Sequence, residues 1–138
     1  MANWNDTIIE EFHSKAGRGV GPFGDQLILL TTVGARSGRE RTSPVMYHRA
    51  GEGYVVVASK AGAPDNPAWY GNLKANPVAR VEVGTATGLE TFEVRAREAE
   101  GQERDRLFAD RVAIAPGFGE YQRNTSRLIP VMILERTG

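Results

Sequence analysis

Apolar residues in the first fifteen positions recur at three- to five-residue spacing, at Trp4, Ile8, Ile9 and Phe12. This spacing places them on one face of a short amphipathic helix over residues 3–15. A loop with several glycines, residues 17–24, comes next. It is followed by a continuous apolar and threonine-rich run over residues 27–33, which is typical of a buried strand. The chain therefore opens with a helix, a loop and a strand.

Two more β-prone segments follow, over residues 41–49 and 54–59. A turn over residues 34–38 precedes the first of them, and residues 50–53, with two glycines, join it to the second. Strands connected in this way pair with their neighbours in sequence. The pattern predicts a three-stranded antiparallel meander.

The rest of the chain alternates helices and strands less regularly. Asn66 and Pro67 predict an N-cap and a first helical position, and Asn76-Pro77 predicts the end of that helix. Strands are predicted over residues 78–83, 91–96 and 129–134, and a helix with a charged face over residues 98–113. Residues 115–127 are too irregular to be wholly core, and we interpret them as a substrate-side lid or a surface connection.

Antiparallel strands with inserted helices, and no alternating βαβ units, predict an α+β barrel. The length of 138 residues, with 41% hydrophobic and 25% charged residues, suits one domain over residues 1–138. Residues 1–24 would form its N-terminal helix and loop.

Charge and composition exclude several classes of function. Seventeen basic and seventeen acidic side chains give a net charge of zero, so no overall field attracts nucleic acid. The absence of cysteine excludes disulfides, thiolate metal sites and cysteine nucleophiles. His13 and His48 lie in no metal-binding spacing, and no hydrolase nucleophile motif is present. We therefore expect no metal site, and any anion binding must be local.

The N-terminus indicates a cytoplasmic protein. Asp6, Glu10 and Glu11 interrupt the apolar run that a signal peptide would need, and no segment is long enough to span a bilayer. The same acids argue against peripheral membrane contact through Trp4 and Phe12. We expect this helix to pack over the mouth of the barrel.

The glycine pattern at residues 19–24 matches the loop of dinucleotide-binding folds but not its context. That loop follows a strand and opens a helix, whereas this one follows a helix, precedes a strand and contains Pro22. We interpret it as a flexible connection.

The most informative segment is residues 34–41, a turn with three arginines and one glutamate between two strands. Glycines let backbone N–H groups converge on an anion, and guanidinium groups bind phosphate or carboxylate oxygens in pairs. A solvated turn would have the same composition, so both interpretations stay open at this point. Lys60 would add a further positive charge. Trp69, Asn72 and Leu73 share a helical face that either packs in the core or lines a flat aromatic ligand.

Three segments, residues 34–47, 58–77 and 121–131, together resemble the deazaflavin-dependent nitroreductase family, which uses coenzyme F420. The resemblance lies in the runs Gly-Ala-Arg-Ser-Gly-Arg-Glu-Arg, Ala-Ser-Lys-Ala-Gly-Ala-Pro-Asp-Asn-Pro-Ala-Trp-Tyr-Gly-Asn-Leu-Lys-Ala-Asn-Pro and Arg-Leu-Ile-Pro-Val. It extends from about residue 27 to the C-terminus.

This resemblance implies an FMN-binding split-barrel type of fold, with antiparallel strands, inserted helices and a groove for the coenzyme. It implies that the phosphate and the polyglutamate tail are held by Arg36, Ser37, Gly38, Arg41 and Lys60. It implies that the deazaflavin is lined by Pro44, Met46, Ala58, Ser59, Trp69 and Asn72.

On the substrate side, the positions that match the family are Met46, Ala115, Phe118 and Tyr121. Nitroreducing members place tyrosines around their substrate, and here only Tyr121 carries a phenol. The missing hydroxyls would orient or protonate a nitroimidazole, so we expect poor reduction of that drug class.

The resemblance thus predicts hydride transfer from the reduced deazaflavin to a small electron-poor acceptor, with Ser59 and Tyr121 as the catalytic side chains. The acceptor would be a quinone, an activated alkene or a nitro compound. Two alternatives are a protein that binds and stores F420 without turnover, and a split-barrel reductase that binds FMN. We expect a monomer or a homodimer that binds no nucleic acid.

Overall fold

The computed structural model describes residues 4–21 and 24–137, so Pro22 and Phe23 of the glycine pattern lie outside the described residues. Six strands and four α-helices form within these ranges, with a short 3-10 helix at Lys60–Gly62. In chain order they are α1 (Trp4–Ser14), β1 (Leu27–Val33), β2 (Glu40–Ala50), β3 (Gly53–Val57), α2 (Ala68–Ala75), β4 (Val78–Thr85), β5 (Gly88–Glu98), α3 (Gly101–Ile114), α4 (Gly117–Arg123) and β6 (Val131–Arg136).

The strands form a closed antiparallel barrel in the order β1-β2-β3-β6-β5-β4, and β4 pairs with β1 to complete it. The α+β barrel and the β1-β2-β3 meander are therefore confirmed. β6 comes last in the chain but pairs with both β3 and β5. This long-range pairing holds the two halves of the barrel together.

Alternation along the strands separates three apolar clusters. In β1, Ile28 and Leu30 point into the barrel, whereas Leu27 and Leu29 point outward and pack against Ile8 and Phe12 of α1, as well as Val20. Side chains in a strand alternate between its two faces, so an uninterrupted apolar strand is buried on both. Helix α1 therefore covers the outside of β1.

The opposite side of the barrel is covered by α3 and α4. Val55 and Val57 of β3 face outward and share a cluster with Leu107 and Phe108 of α3 and Phe118 of α4. Trp69 and Leu73 of α2 instead belong to the interior cluster.

The barrel is split on one side of β2. β2 and β3 pair only from Tyr47 to Ala50, opposite Val56 to Gly53. β3 ends at Val57, so residues 40–46 of β2 pair with β1 but not with β3. Pro44 lies in this segment and has no N–H to donate to a second neighbour. A groove follows the split.

Two local predictions need correction. Residues 115–127, interpreted as a lid or a surface connection, contain the helix α4, for which no helix was predicted. The residue that precedes α2 as its N-cap is Pro67 rather than Asn66, and it makes no side-chain cap. The Asn66 amide oxygen instead accepts a hydrogen bond from Arg127 at 2.8 Å.

Candidate functional site

The turn between β1 and β2 is closed by its own backbone. The N–H of Gly34 donates to the carbonyl of Arg39 at 2.8 Å, and the N–H of Gly38 donates to the carbonyl of Gly34 at 3.0 Å. Gly38 has a φ of 69°, in the left-handed region that glycine adopts without strain. The Ser37 hydroxyl accepts from the N–H of Arg39 at 3.1 Å. These bonds fix the shape of the turn.

Asn72 of α2 holds the turn against the barrel. Its Oδ1 accepts from the N–H of Ala35 at 3.0 Å, and its Nδ2 donates to the hydroxyl of Thr32 at 3.0 Å. Asn72 is only 8% exposed. Because its amide is bonded at both ends within the protein, Asn72 is suited to positioning the turn.

The turn carries a surplus of exposed positive charge. Its glutamate, Glu40, pairs with Arg80 at 3.3 Å. Arg36 and Arg41 are exposed, and neither forms an ion pair with a residue in the described part of the chain. Their guanidinium groups are therefore free to bind phosphate or carboxylate oxygens.

A hollow of about 720 Å³ lies beside this turn, and we call it the cationic hollow. It lies between the turn, α2 and the first residues of α1. Its lining residues include Asn5, Asp6, Gly34, Ala35, Arg36, Ser37, Arg41, Ser43, Trp69 and Asn72.

A second hollow, of about 520 Å³, lies farther along the split, and we call it the apolar hollow. One wall comes from the unpaired edge of β2 and another from the chain that follows β3. Its lining residues are Leu27, Pro44, Val45, Met46, Val57, Ser59, Lys60, Pro67, Trp69, Phe118 and Tyr121.

Trp69 lines both hollows, and Ser43, which lines the first, precedes Pro44, which lines the second, along β2. We call the pair the groove. Trp69 is 8% exposed because most of its indole packs into the barrel interior. The groove therefore places a cationic region and an apolar region on either side of one aromatic ring.

Arg127 fixes the loop that forms one wall of the apolar hollow. Its guanidinium donates to the carbonyls of Ser59 at 2.6 Å, Ala58 at 3.0 Å and Ala63 at 2.9 Å. It also donates to the side chain of Asn66. One side chain thus joins the two ends of residues 58–66.

Lys60 lies on that loop with a strained backbone and an acidic partner. Its φ of 46° lies in the left-handed region, which is uncommon for a residue other than glycine. Its Nζ donates to the Asp65 carboxylate at 3.0 Å. That hydrogen bond, helped by the positive charge, lowers the pKa of Asp65 below its ordinary value.

Helix α4 forms the opposite wall with two aromatic rings. The centroids of Phe118 and Tyr121 are 5.3 Å apart, and their planes are tilted by 67°. The Tyr121 hydroxyl makes no hydrogen bond within the described ranges. A Cβ on Gly62 would lie 2.9 Å from the Tyr121 carbonyl, so only glycine lets the loop lie this close to α4.

The family of F420H2-dependent quinone reductases matches residues 4–136 of this sequence. The chain belongs to this family. Family membership confirms the resemblance to deazaflavin-dependent reductases and identifies coenzyme F420, rather than FMN, as the cofactor.

Individual members agree with this assignment. The chain is 35% identical over 135 residues to an F420H2-dependent quinone reductase of Mycobacterium tuberculosis, covering 96% of this chain and 87% of that protein. A solved structure described as the F420-H2 dependent reductase FDR-A has 42% identity and a TM-score of 0.70, covering 80% of this chain and 94% of that one. Another, described as a domain-swapped dimer, has 40% identity and a TM-score of 0.72, covering 92% and 91%.

The residues of the groove fit the chemistry of this coenzyme. Its phosphate and glutamate tail needs cationic donors, and its flat ring needs an apolar slot. Arg36 and Arg41 lie at one end of the groove, and Pro44 and Met46 line the other, on either side of Trp69. The cationic end of the groove suits the anionic tail of the coenzyme, and the apolar end suits its flat ring.

The structure brings most of the predicted site residues together, and five are placed differently. Asn72, expected beside the deazaflavin, lines the cationic hollow and holds the turn. Lys60 lines the apolar hollow, away from the other predicted tail-binding residues. Gly38 lies on the turn but does not line the hollow. Ala58 is completely buried beneath the groove, and Ala115 packs at the edge of the cluster under α3 and α4.

Sequence reasoning missed the residues that hold the walls in place. Arg127 was inside the recognised run Arg-Leu-Ile-Pro-Val but had no role. Gln122 accepts from Arg104 Nη2 at 2.9 Å and from the N–H of Ile129 at 3.0 Å, which ties α4 to α3 and to the start of β6. The one signal that pointed to Arg127 was its place at the start of that run, directly before the apolar residues of the last strand segment.

Neither a membrane-spanning helix nor a metal cluster is present among the described residues. None of the helices formed by residues 4–21 and 24–137 is both long and apolar enough to cross a bilayer. In the same ranges, no three or more His, Asp or Glu side chains gather where they could hold a metal ion.

Proposed function

We propose that this member of the family reduces flat, electron-poor acceptors, with quinones as the main class and activated alkenes as a second. The observation that carries the proposal is that a cationic hollow and an apolar hollow share Trp69 as a lining residue. When bound, the coenzyme supplies the hydride. The protein supplies binding, orientation and exclusion of water.

At the cationic end, Arg36 and Arg41 bind the phosphate and carboxylates of the tail. The Ser37 hydroxyl and the backbone N–H groups of Arg36 and Ser37 add neutral donors, because the other N–H groups at the tip of the turn already donate within the protein. This assignment is supported by the exposed guanidinium groups, which have no acidic partner in the described chain, and by the rigidity of the turn. Asn72 contributes by holding the turn rather than by touching the coenzyme.

At the apolar end, Pro44, Met46 and Trp69 shape the slot for the ring. Ser59 lies beside this slot, and its hydroxyl has no hydrogen-bond partner among the described residues, so it is available to a ring heteroatom. Aligned placement of two reactants in a closed slot is the largest contribution that such a site makes to hydride transfer.

Phe118 and Tyr121 bound the side on which an acceptor would stack. We assign to the Tyr121 hydroxyl the donation of a hydrogen bond or a proton to the acceptor oxygen as negative charge develops there. Tyr121→Phe should therefore lower kcat with quinones while leaving coenzyme affinity unchanged. We expect weak activity with nitroimidazoles, since Met46 and Phe118 supply no hydroxyl.

Oxidation of F420H2 by a panel of quinones, alkenes and nitroimidazoles, followed with and without the protein, tests this proposal. Turnover with quinones well above the background rate supports it. Tight coenzyme binding with no turnover on any acceptor would overturn it and favour a storage protein.

We further propose that residues 1–138 work as one domain, as a monomer or a homodimer. The 40%-identical domain-swapped dimer supports the second form. Light scattering coupled to size-exclusion chromatography distinguishes the two.

A further inference from the structure

Arg111 is a buried cation for which the site described above has no use. It lies in the last turn of α3 and has no exposed surface. Its Nη2 donates to the Gln26 side-chain oxygen at 2.8 Å, while Nε and Nη1 are buried without a partner. In the described part of the chain, no carboxylate forms an ion pair with it. Burial of an uncompensated charge destabilises a fold, so its presence here calls for a physical reason.

Arg111 lies behind one wall of the apolar hollow. Its Cζ lies 5.1 Å from the centroid of the Phe118 ring, which lines the hollow. Gln26, its hydrogen-bond partner, precedes Leu27, another lining residue. The positive charge therefore lies directly behind the acceptor side of the groove.

No neighbouring group cancels this charge. His48 is buried nearby, and neither ring nitrogen has a partner. Burial lowers the pKa of His48 below its ordinary value, and the charge of Arg111 acts in the same direction. Asp110, the nearest acid that influences His48, is exposed on the solvent side of α3. A guanidinium stays charged at neutral pH even when burial lowers its pKa.

We infer that Arg111 makes the apolar hollow selective for acceptors whose bound or reduced form carries a delocalised negative charge, such as a quinone that becomes a hydroquinone anion. This inference rests on the proposed function. Hydride transfer oxidises the coenzyme, adds two electrons and one hydrogen to the acceptor, and leaves a negative charge on the acceptor oxygen until a proton arrives. A cation behind Phe118 stabilises that charge without touching the acceptor.

The expected size of the effect follows from the distance. A flat ligand in contact with Phe118 would lie about 4 Å from the ring and therefore roughly 9 Å from the guanidinium. A unit charge at that distance, screened as it is near a protein surface, changes affinity on the order of tenfold.

Two variants remove the field in different ways. Arg111→Met removes the charge and keeps an unbranched side chain of similar length. Gln26→Glu keeps Arg111 and gives it a carboxylate partner at the position of its present hydrogen bond. Gln102→Glu, an exposed position near the start of the same helix, makes the same change in net charge far from the hollow and is the control.

The test uses the full chain loaded with oxidised F420, so that binding is measured without turnover. Two naphthoquinones of matched size serve as probes: lawsone, whose enol is ionised at neutral pH, and menadione, which is neutral. Calorimetric titration gives each affinity, and competition between the probes establishes that they share a site. Thermal unfolding of each variant is measured alongside.

Arg111→Met and Gln26→Glu should each weaken the affinity for lawsone about tenfold and change the affinity for menadione less than twofold. Both variants should unfold at a temperature no lower than that of the parent. Gln102→Glu should change neither probe. Unchanged lawsone affinity in both variants, or equal losses for both probes, would overturn the inference while leaving the proposed function intact. If the loaded parent bound neither probe, the acceptor site itself would be wrong, and both proposals would fall.

Discussion

The two ends of the groove are built in opposite ways. The cationic hollow takes its charge from one turn, residues 34–41, whose exposed arginines have no acidic partner in the described chain and which is closed by its own backbone. The apolar hollow draws its walls from β1, β2, the end of β3 with the loop after it, α2 and α4, which are separate parts of the chain. The charged groups of one end lie in a local motif, whereas the other end exists only once the barrel has closed.

This difference predicts whether a substitution at each end affects ligand binding, stability or both. Exposed arginines contribute little to folding, because solvent screens them, so changes there should affect ligand binding alone. The walls of the apolar hollow are held by partly buried hydrogen bonds from Arg127 and Gln122, so changes there should affect stability and binding together.

The largest effect is expected from Arg127→Gln. It removes donors from the carbonyls of Ala58, Ser59 and Ala63, and we expect a loss of about 2 to 4 kcal/mol in the free energy of unfolding. Coenzyme affinity should fall as well, because the loop would no longer be fixed. Urea denaturation and fluorescence titration measure the two quantities.

Arg49→Gln is the matched control. Arg49 donates to the carbonyls of Glu52 and Gly53 in the hairpin at the far end of β2 and β3. Its loss should reduce stability but leave coenzyme affinity unchanged. If Arg49→Gln weakened the coenzyme as much as Arg127→Gln, the special role of Arg127 would be refuted.

A smaller effect is expected from Gly62→Ala, at the contact between the loop and α4. The residue has a φ of 80°, and its new Cβ would lie 2.9 Å from the Tyr121 carbonyl. We expect a loss of about 1 to 3 kcal/mol, from backbone strain and displacement of the loop. Gly51→Ala, with a φ of 59° and open space around it, reports the strain alone. If denaturation showed the same loss in the free energy of unfolding for Gly62→Ala and Gly51→Ala, the contact with α4 would contribute nothing.

The smallest effect concerns pH. Burial holds the pKa of His48 below its ordinary value, so the folded chain keeps this histidine neutral at a pH where the unfolded chain protonates it. Stability should therefore fall as pH drops through about 6.5, by at most about 1.4 kcal/mol per pH unit. His48→Leu should flatten that dependence, and urea denaturation at a series of pH values measures it. An unchanged pH profile in His48→Leu would contradict this account.

The turn at the cationic end could be predicted from the sequence because its information is local. Residues 34–41 contain the turn glycines and the arginines side by side, and β1 was predicted with its correct bounds. The apolar end was harder, since only the barrel brings Met46, Ser59 and Tyr121 together. A resemblance to known reductases supplied these residues where periodicity could not.

Other features escaped because tertiary contacts decide them. α4 contains Gly117 and Gly119, which disfavour a helix, and it forms because Phe118 is buried and Gln122 is bonded to Arg104. The charged residues of α3 were predicted to lie on its exposed face, but two of its arginines, Arg104 and Arg111, are buried. Strand order also depends on β6, whose pairing partners are distant in sequence.

The central claim is that one groove holds the coenzyme with its tail on the arginine turn and its ring beside Trp69. The most direct test compares the affinity for F420 with the affinity for its chromophore, which lacks the phosphate and the glutamates. Both affinities are measured in the parent and in the double variant with Arg36→Ala and Arg41→Ala. Arg95→Ala, an exposed position on β5, is the control. We predict that the parent and the control bind F420 more tightly than they bind the chromophore, by about 1 to 3 kcal/mol for each of the two arginines, Arg36 and Arg41. The double variant should lose this preference and should bind the chromophore with the affinity of the parent. An undiminished preference for F420 in the double variant would contradict the account.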